Sequence, residues 1–221
     1  MTFSLAARCA TTGMLGAVVT TSSPAVGSRC IFTRARIGVV LTQFWTDPRL
    51  GPRGLALLAE GCGAEVVAQA LAASTPDRDW RQVAVLDAQG RSAHFSGART
   101  KPALAAATGT NSVAIGNILR NDAVPAAMVD AFEASGGLPF PARLLAALEA
   151  GQGAGGEERA LVSAALLVSR DEPFPYVDLR VDAAADPLRE LRALWDLYAP
   201  LAEQYVGRAL SPNDLDPQPV R

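Results

Sequence analysis

Short apolar runs joined by tight turns outnumber strand–helix–strand crossovers in this chain, and that pattern restricts its fold more than any other feature. Thr2 to Ala7 and Leu15 to Thr21 flank the turn signal Thr11-Thr12-Gly13 and read as an N-terminal hairpin. Gln82 to Leu86 and Arg91 to Phe95 flank Asp87-Ala88-Gln89-Gly90 in the same way. Ile37 to Phe44 (IGVVLTQF) is nearly all apolar, as expected of a strand covered on both faces. Further strands are expected at Ser112 to Ile115, Val162 to Val168 and Tyr176 to Val181.

Helical spacing appears between these runs. Arg53 to Glu60, Ala64 to Ala73, Asp122 to Ala134 and Ala142 to Gly151 read as helices. A last helix opens at Asp186-Pro187, an N-cap followed by a first-turn proline, and carries Leu188, Leu191, Leu194, Trp195 and Tyr198. Asp47 to Pro52, Gly97 to Thr110 and the Gly-rich Gly151 to Gly156 are expected to be loops. This order predicts an α+β protein whose antiparallel sheets carry helices on their faces.

A length of 221 residues fits one domain with a sizeable core, over residues 1–210, followed by a Pro- and Asp-rich tail at 211–221 that is expected to be mobile. Aromatic residues are only 6%, so that core must be built mainly from Ala, Leu and Val. The net charge of -2 and the absence of any basic run argue against a nucleic-acid partner. Cys9, Cys30 and Cys62 are widely spaced and odd in number, which reads as reduced thiols in a cytoplasmic protein. The one histidine, His94, makes a zinc site unexpected, and any Ser-His-Asp triad would have to use it. A satisfied strand histidine is the plainer reading. Arg8 and the Thr11-Thr12-Gly13 turn interrupt the apolar stretch after Phe3, so it reads as a strand pair and not as a signal peptide. No apolar run reaches the length of a membrane span.

Several segments together resemble the DUF1028 family. They are Met1-Thr2-Phe3-Ser4-Leu5-Ala6-Ala7 with its return Leu15-Gly16-Ala17-Val18-Val19, then Ala25-Val26-Gly27, then Thr42-Gln43-Phe44-Trp45-Thr46-Asp47-Pro48 with Gly51-Pro52-Arg53-Gly54-Leu55. Asp87-Ala88-Gln89-Gly90, Gly116-Asn117-Ile118-Leu119 and Asp178-Leu179-Arg180-Val181-Asp182 complete the series in the family's order. The family is grouped with the N-terminal-nucleophile (Ntn) hydrolases. The resemblance therefore implies an Ntn-hydrolase-like αββα four-layer sandwich, with two stacked, mainly antiparallel sheets. Two departures stand out. Ser23 occupies a place where the family suggests a bulkier apolar or basic residue, and Gly155-Gly156-Glu157 replaces a Gly-Gly-Asp-like element followed by Gln.

In an Ntn hydrolase the side-chain hydroxyl of the first mature residue attacks an amide carbonyl, and the free α-amine takes the proton. That amine has a reference pKa of about 8 and needs no histidine. Here the resemblance implies Thr2 as catalytic nucleophile after removal of Met1; the plainer reading is that Thr2 merely starts a strand. Gln43 and Asn117 end apolar strands, where an amide is costly unless partnered, and are the catalytic candidates for holding an oxyanion. Ser4 shares a strand face with Thr2. Ser22 and Ser23 come directly after the return strand. With Trp45, Asp47 and Arg53 they form the candidate substrate-binding set. Gly151 to Gly156 lacks the Gly-Lys-Ser/Thr ending of a phosphate loop and reads as a linker.

The reading reached is an amidohydrolase that cleaves a C–N bond of a small-molecule amide through an acyl-enzyme on Thr2, with no metal, no organic cofactor and no membrane partner. The competing reading is a non-catalytic module on the same fold, binding a small molecule or a protein. An Ala/Leu-rich helical layer could pair with its copy, so a homo-oligomer is compatible with the sequence.

Overall fold

A computed structural model describes residues 1–214 of the chain. β1 (Thr2–Arg8) and β2 (Leu15–Thr21) form the expected hairpin, with Phe3 opposite Thr20 and Ala6 opposite Ala17. β3 (Ile31–Arg34) and β4 (Gly38–Phe44) lead into α1 (Leu50–Ala59) and α2 (Ala64–Ala73). β5 (Arg81–Asp87) and β6 (Ser92–Ser96) form the second hairpin, and β7 (Leu104–Gly109) and β8 (Ser112–Asn117) a third. α3 (Val124–Ala134) and α4 (Phe140–Gly153) come next, then β9 (Ser163–Ser169), β10 (Val177–Val181), α5 (Pro187–Tyr198) and α6 (Ala202–Leu210).

The strands form two sheets with antiparallel pairing throughout. One runs β10-β9-β2-β1-β8-β7 and the other β3-β4-β5-β6. β1 lies inside the larger sheet, hydrogen-bonded to β2 on one side and to β8 on the other. Its alternation then decides which side chain meets which layer. Phe3, Leu5 and Ala7 enter a core with Met128 and Phe132 of α3, Leu144 and Leu148 of α4, and Leu191 and Trp195 of α5. Ala6 faces the other way, into a core shared by the two sheets, where Val19 and Ile115 meet Val39, Leu41 and Ala84. Thr2 and Ser4 have the parity of Ala6, so they too face the space between the sheets. The far side of the smaller sheet, through Val40, Val83 and Val85, packs on Leu50 and Leu58 of α1 and on Val67 and Leu71 of α2. Phe3 has no exposed surface. Burial of a side chain of that size contributes about 2–3 kcal/mol by area.

Several elements differ from the expectation. β7 occupies a stretch read as loop, because its Ala-Ala-Ala run carries almost no β signal of its own. Pairing with β8 supplies the backbone hydrogen bonds, and the small side chains of Ala105 and Ala107 pack against the core that α3 helps build. β3 is short and was not marked by the pattern. α1 begins at Leu50, three residues earlier than expected, because Pro52 falls in the first turn, where a missing N–H costs nothing. α4 continues to Gly153, two residues beyond its expected end. α6 buries only Ala202 and has too little apolar surface to stand out. Of the expected tail, Pro212–Asp214 forms a short 3-10 turn, and residues 215–221 lie outside the described residues.

Candidate active site

Two strand ends and one strand start meet between the sheets. Thr2 opens β1, Asn117 closes β8 directly opposite Thr2, and Gln43 stands one residue before the end of β4. Both amide residues are followed by a residue in the left-handed region, Phe44 at φ 72° and Ile118 at φ 52°. That conformation is unfavourable for a bulky or β-branched side chain and persists only where the surroundings impose it. In both cases the chain turns sharply away just after delivering a side-chain amide to the site.

The buried polar groups form one connected network. Ser4 Oγ donates to Gln43 Oε1 at 2.8 Å. Gln43 Nε2 donates to Gln82 Oε1 at 2.7 Å and to the Thr2 carbonyl at 3.4 Å. Asn117 Nδ2 donates to the same Gln82 oxygen at 2.9 Å. Gln82 Nε2 in turn donates to the Gly116 carbonyl at 3.0 Å and to Ser96 Oγ at 3.2 Å. Gln43, Gln82 and Asn117 have no exposed surface, so the bonds among these three are made without competition from water. Among the described residues, buried Asn117 Oδ1 has no partner, and one N–H of its Nδ2 is also uncommitted.

The Thr2 hydroxyl lies 3.2 Å from the Thr21 hydroxyl, and both donate to the carbonyl oxygen of Met1. Close by is Glu157, only 3% exposed. Ser22 N–H donates to its Oε2 at 3.1 Å, while Oε1 is buried without a partner among the described residues. Burial pushes the Glu157 carboxyl up to about 7, and the positive charge of the Met1 amine works against that rise. The Met1 amine is shifted down from its ordinary value, first by burial, with Glu157 the strongest charge opposing the shift. Gly155 and Gly156 carry Glu157 into place. Their φ values of +129° and +59° reverse the chain after α4, and a Cβ on Gly155 would lie 2.5 Å from Asn121 Nδ2. The Gly-rich stretch thus finishes α4 through Gly153 and then makes a shaped turn at Gly155 and Gly156, with Leu119 bridging to Glu157 just beyond it.

The structure thus brings together Thr2, Ser4, Gln43 and Asn117, with Ser22 joining through its backbone. It does not bring in the rest of the candidate set. Ser23 is exposed and its hydroxyl accepts from Arg29 at 2.8 Å. Trp45 is 64% exposed and rests on Trp80, with ring centroids 5.1 Å apart. Both Asp47 oxygens are held by Arg49 at 2.8 Å, which keeps its carboxyl below the usual range, and Oδ1 also receives the Arg49 backbone N–H at the start of α1. Arg53 donates to the carbonyl and hydroxyl of Ser74, tying α1 to the end of α2. Trp45, Asp47 and Arg53 stand close to Gln43 in sequence, but the turn at Phe44 separates their side chains from its amide.

Sequence reasoning missed Gln82, Thr21 and Glu157. Gln82 reads as the edge of an apolar strand until the β4–β5 register sets it opposite Gln43. A glutamate directly after two glycines was the available signal for Glu157. Cys9, Cys30 and Cys62 are free thiols. His94 lines a concavity of about 340 Å³ with Glu65 and Phe95, and its imidazole has no hydrogen bond to a carboxylate among the described residues. Burial lowers its pKa. Among the described residues no three His, Cys, Asp or Glu side chains gather as for a metal ion, and no helix is long and apolar enough to cross a membrane.

These features define an α+β protein with two antiparallel sheets, a buried hydroxyl–amide cluster between them and the buried Glu157 carboxylate held at Ser22 beside it. The chain belongs to DUF1028, a family of unknown function, whose family model matches residues 2–191. Among solved structures it is similar to protein SPO2555 from Silicibacter pomeroyi, itself described as DUF1028. The two are 32% identical, with a TM-score of 0.83 over 90% of this chain and 89% of that one. A second match, Anbu (ancestral beta-subunit) from Yersinia bercovieri, is 11% identical with a TM-score of 0.40 over 99% of this chain and 100% of that one, too distant for its chemistry to be carried over. No curated protein matches.

Proposed function

We propose that this protein is an Ntn-type amidohydrolase whose nucleophile is Thr2, exposed by removal of Met1. One observation carries the reading. The Thr2 hydroxyl lies against an acyl carbonyl oxygen and 3.2 Å from a second hydroxyl, at the mouth of a buried amide network. The helix–sheet–sheet–helix layering, which is the αββα arrangement implied by the resemblance to Ntn hydrolases, supports it.

The chemistry is set by the groups present. While Met1 is attached, the Thr2 nitrogen is an amide and has no basic lone pair. Once free, it is an amine that takes the proton of Thr2 Oγ1 as that oxygen attacks the substrate carbonyl. The carbonyl π electrons move to oxygen, and the uncommitted N–H of Asn117 is the donor best suited to hold that charge. Collapse breaks the C–N bond, and the α-ammonium returns its proton to the leaving amine. Water then attacks the Thr2 ester, the α-amine takes its proton, and the acid departs with Thr2 restored. Gln43 acts at one remove: its N–H on the Thr2 carbonyl fixes the backbone of the nucleophile. Thr21 positions the hydroxyl.

The test combines intact mass with activity. A mass lacking one methionine, hydrolysis of a small amide, and loss of that activity in Thr2→Ala are expected. Retention of Met1 in protein that still hydrolyses the amide would exclude the α-amine as base. The binding-module reading draws on one feature: while Met1 is attached, the Thr2 nitrogen is an amide and the Thr2 hydroxyl has no α-amine of its own as base.

A further inference from the structure

On the premise that Thr2 is the nucleophile, we infer that the processed site takes amides whose acyl group carries a free α-ammonium, and that Glu157 binds this cation. Met1 is the observation behind it. The chain's own first residue is an α-aminoacyl group, and it occupies the approach to Thr2. Its carbonyl oxygen receives both the Thr2 and the Thr21 hydroxyls. Its amine lies within the field of Glu157, whose Oε2 is fixed by the N–H of Ser22, the residue after Thr21. Removal of Met1 therefore vacates a space with two hydroxyls at its carbonyl end, within the field of the Glu157 carboxylate.

The state of Glu157 says what must fill that space. A carboxylate oxygen enclosed in protein without a donor is costly, and native structures rarely leave one so. Glu157 Oε1 is in that condition, and among the described residues the carboxylate closes no ion pair. An ammonium supplies three donors and a charge, and so answers both deficits; a neutral acyl group answers neither. Met1 leaves Glu157 Oε1 without a partner among the described residues, and a substrate not bonded to the Thr2 nitrogen is free to settle against the carboxylate. Arg29 and Arg159 act on the same amine with the opposite sign. They disfavour a second positive charge on the ligand and leave Glu157 as its anionic partner.

The experiment uses protein whose intact mass lacks Met1, with methioninamide and N-acetylmethioninamide as a matched pair. Wild type is expected to cleave the free-amine compound with a kcat/KM at least roughly tenfold higher, the range of a hydrogen bond to a charged group. Glu157→Gln should erase that preference through KM, and Glu157→Asp should keep part of it. Equal cleavage of the two compounds, or a preference that survives Glu157→Gln, overturns the inference and leaves the nucleophile reading standing. Calorimetry on Thr2→Ala separates the two claims. Binding of methioninamide by Thr2→Ala, weakened about tenfold or more when Glu157→Gln is added, supports the cation site whatever the nucleophile does. Absence of binding to Thr2→Ala overturns it. Hydrolysis that persists in Thr2→Ala removes the nucleophile and leaves the same binding comparison to decide the site.

Discussion

Gln82 stands directly opposite Gln43 across two strands of the smaller sheet, and their side chains are joined by a 2.7 Å hydrogen bond from Gln43 Nε2 to Gln82 Oε1. The same Gln82 oxygen also receives Asn117. Replacing Gln82 with Leu strands two buried N–H donors at once, and each orphaned donor costs about 1–3 kcal/mol. We expect Gln82→Leu to lose about 2–4 kcal/mol, seen as a lower urea midpoint at unchanged slope. At acidic pH, where a buried Glu is neutral, Gln82→Glu keeps the shared acceptor and one donor for the Gly116 carbonyl and should lose less. Equal losses in the two variants would show that the acceptor role is not what matters.

Glu157 gives stability a pH dependence of unusual sign. Its folded pKa of about 7 lies above the ordinary 4.5, so folding binds a proton between those values. Stability from this group is therefore unchanged below about pH 4.5, falls as pH rises through the window, and is lowest above about 7. The buried Met1 amine works the other way, because its lowered pKa costs stability as pH falls below 8. The difference in unfolding free energy between Glu157→Gln and wild type reads the carboxylate together with its coupling to the Met1 amine. It should grow by on the order of 3 kcal/mol between about pH 4.5 and pH 8. A difference that stays constant over that range would contradict a buried, under-partnered acid.

The two glycines before Glu157 should not be equivalent. At Gly156 the φ of +59° is within reach of an L residue, and the nearest obstruction is the end of the flexible Gln152 side chain. Gly156→Ala is expected to cost about 1 kcal/mol. Gly155, at φ +129°, lies where L residues are strained more severely. Gly155→Ala should cost about 1–3 kcal/mol and shift the acid out of register with Ser22 N–H. Thermal melts of the two variants rank them; the reverse order would mean that contact, not backbone conformation, sets the cost.

Thr21 and Arg53 offer a paired test of which residues belong to the site. Thr21→Val keeps the shape of a fully buried strand residue and removes the hydroxyl beside Thr2. We expect about a tenfold loss of amidase turnover, equivalent to one neutral hydrogen bond. Arg53→Ala removes only contacts to Ser74. It should leave turnover unaltered and cost about 0.5–1 kcal/mol of stability. A turnover loss in Arg53→Ala would return that side chain to the substrate.

Strands with their own periodicity were legible in the sequence, and so were the polar residues at their ends. β2 and α2 have the expected bounds, and Thr2, Ser4, Gln43 and Asn117 converge because strand ends facing one inter-sheet space must. Contacts that depended on register were not legible. Gln82 becomes a partner of Gln43 only through the pairing of β4 with β5, and Glu157 only after the chain reverses at Gly155 and Gly156. Neighbourhood in sequence misled in the opposite way at Trp45, Asp47 and Arg53, because one left-handed residue at Phe44 redirects the chain beyond it. The Ala-rich β7 has no local signal at all; its partner strand and the packing above it create it.

The interior position of β1 sets a schedule for the newborn chain. A lone hairpin is marginal in water, so β1 is not sealed until β8 emerges to pair with Thr2 through Ala7. At ribosomal rates the intervening stretch takes roughly 5–20 s to make. During that interval an aminopeptidase can reach the leading methionine; afterwards the residue is half-buried against Thr21. Translation speed would then govern what fraction of the molecules keeps Met1 over Thr2, and slowing or accelerating synthesis would alter that fraction without changing a single residue.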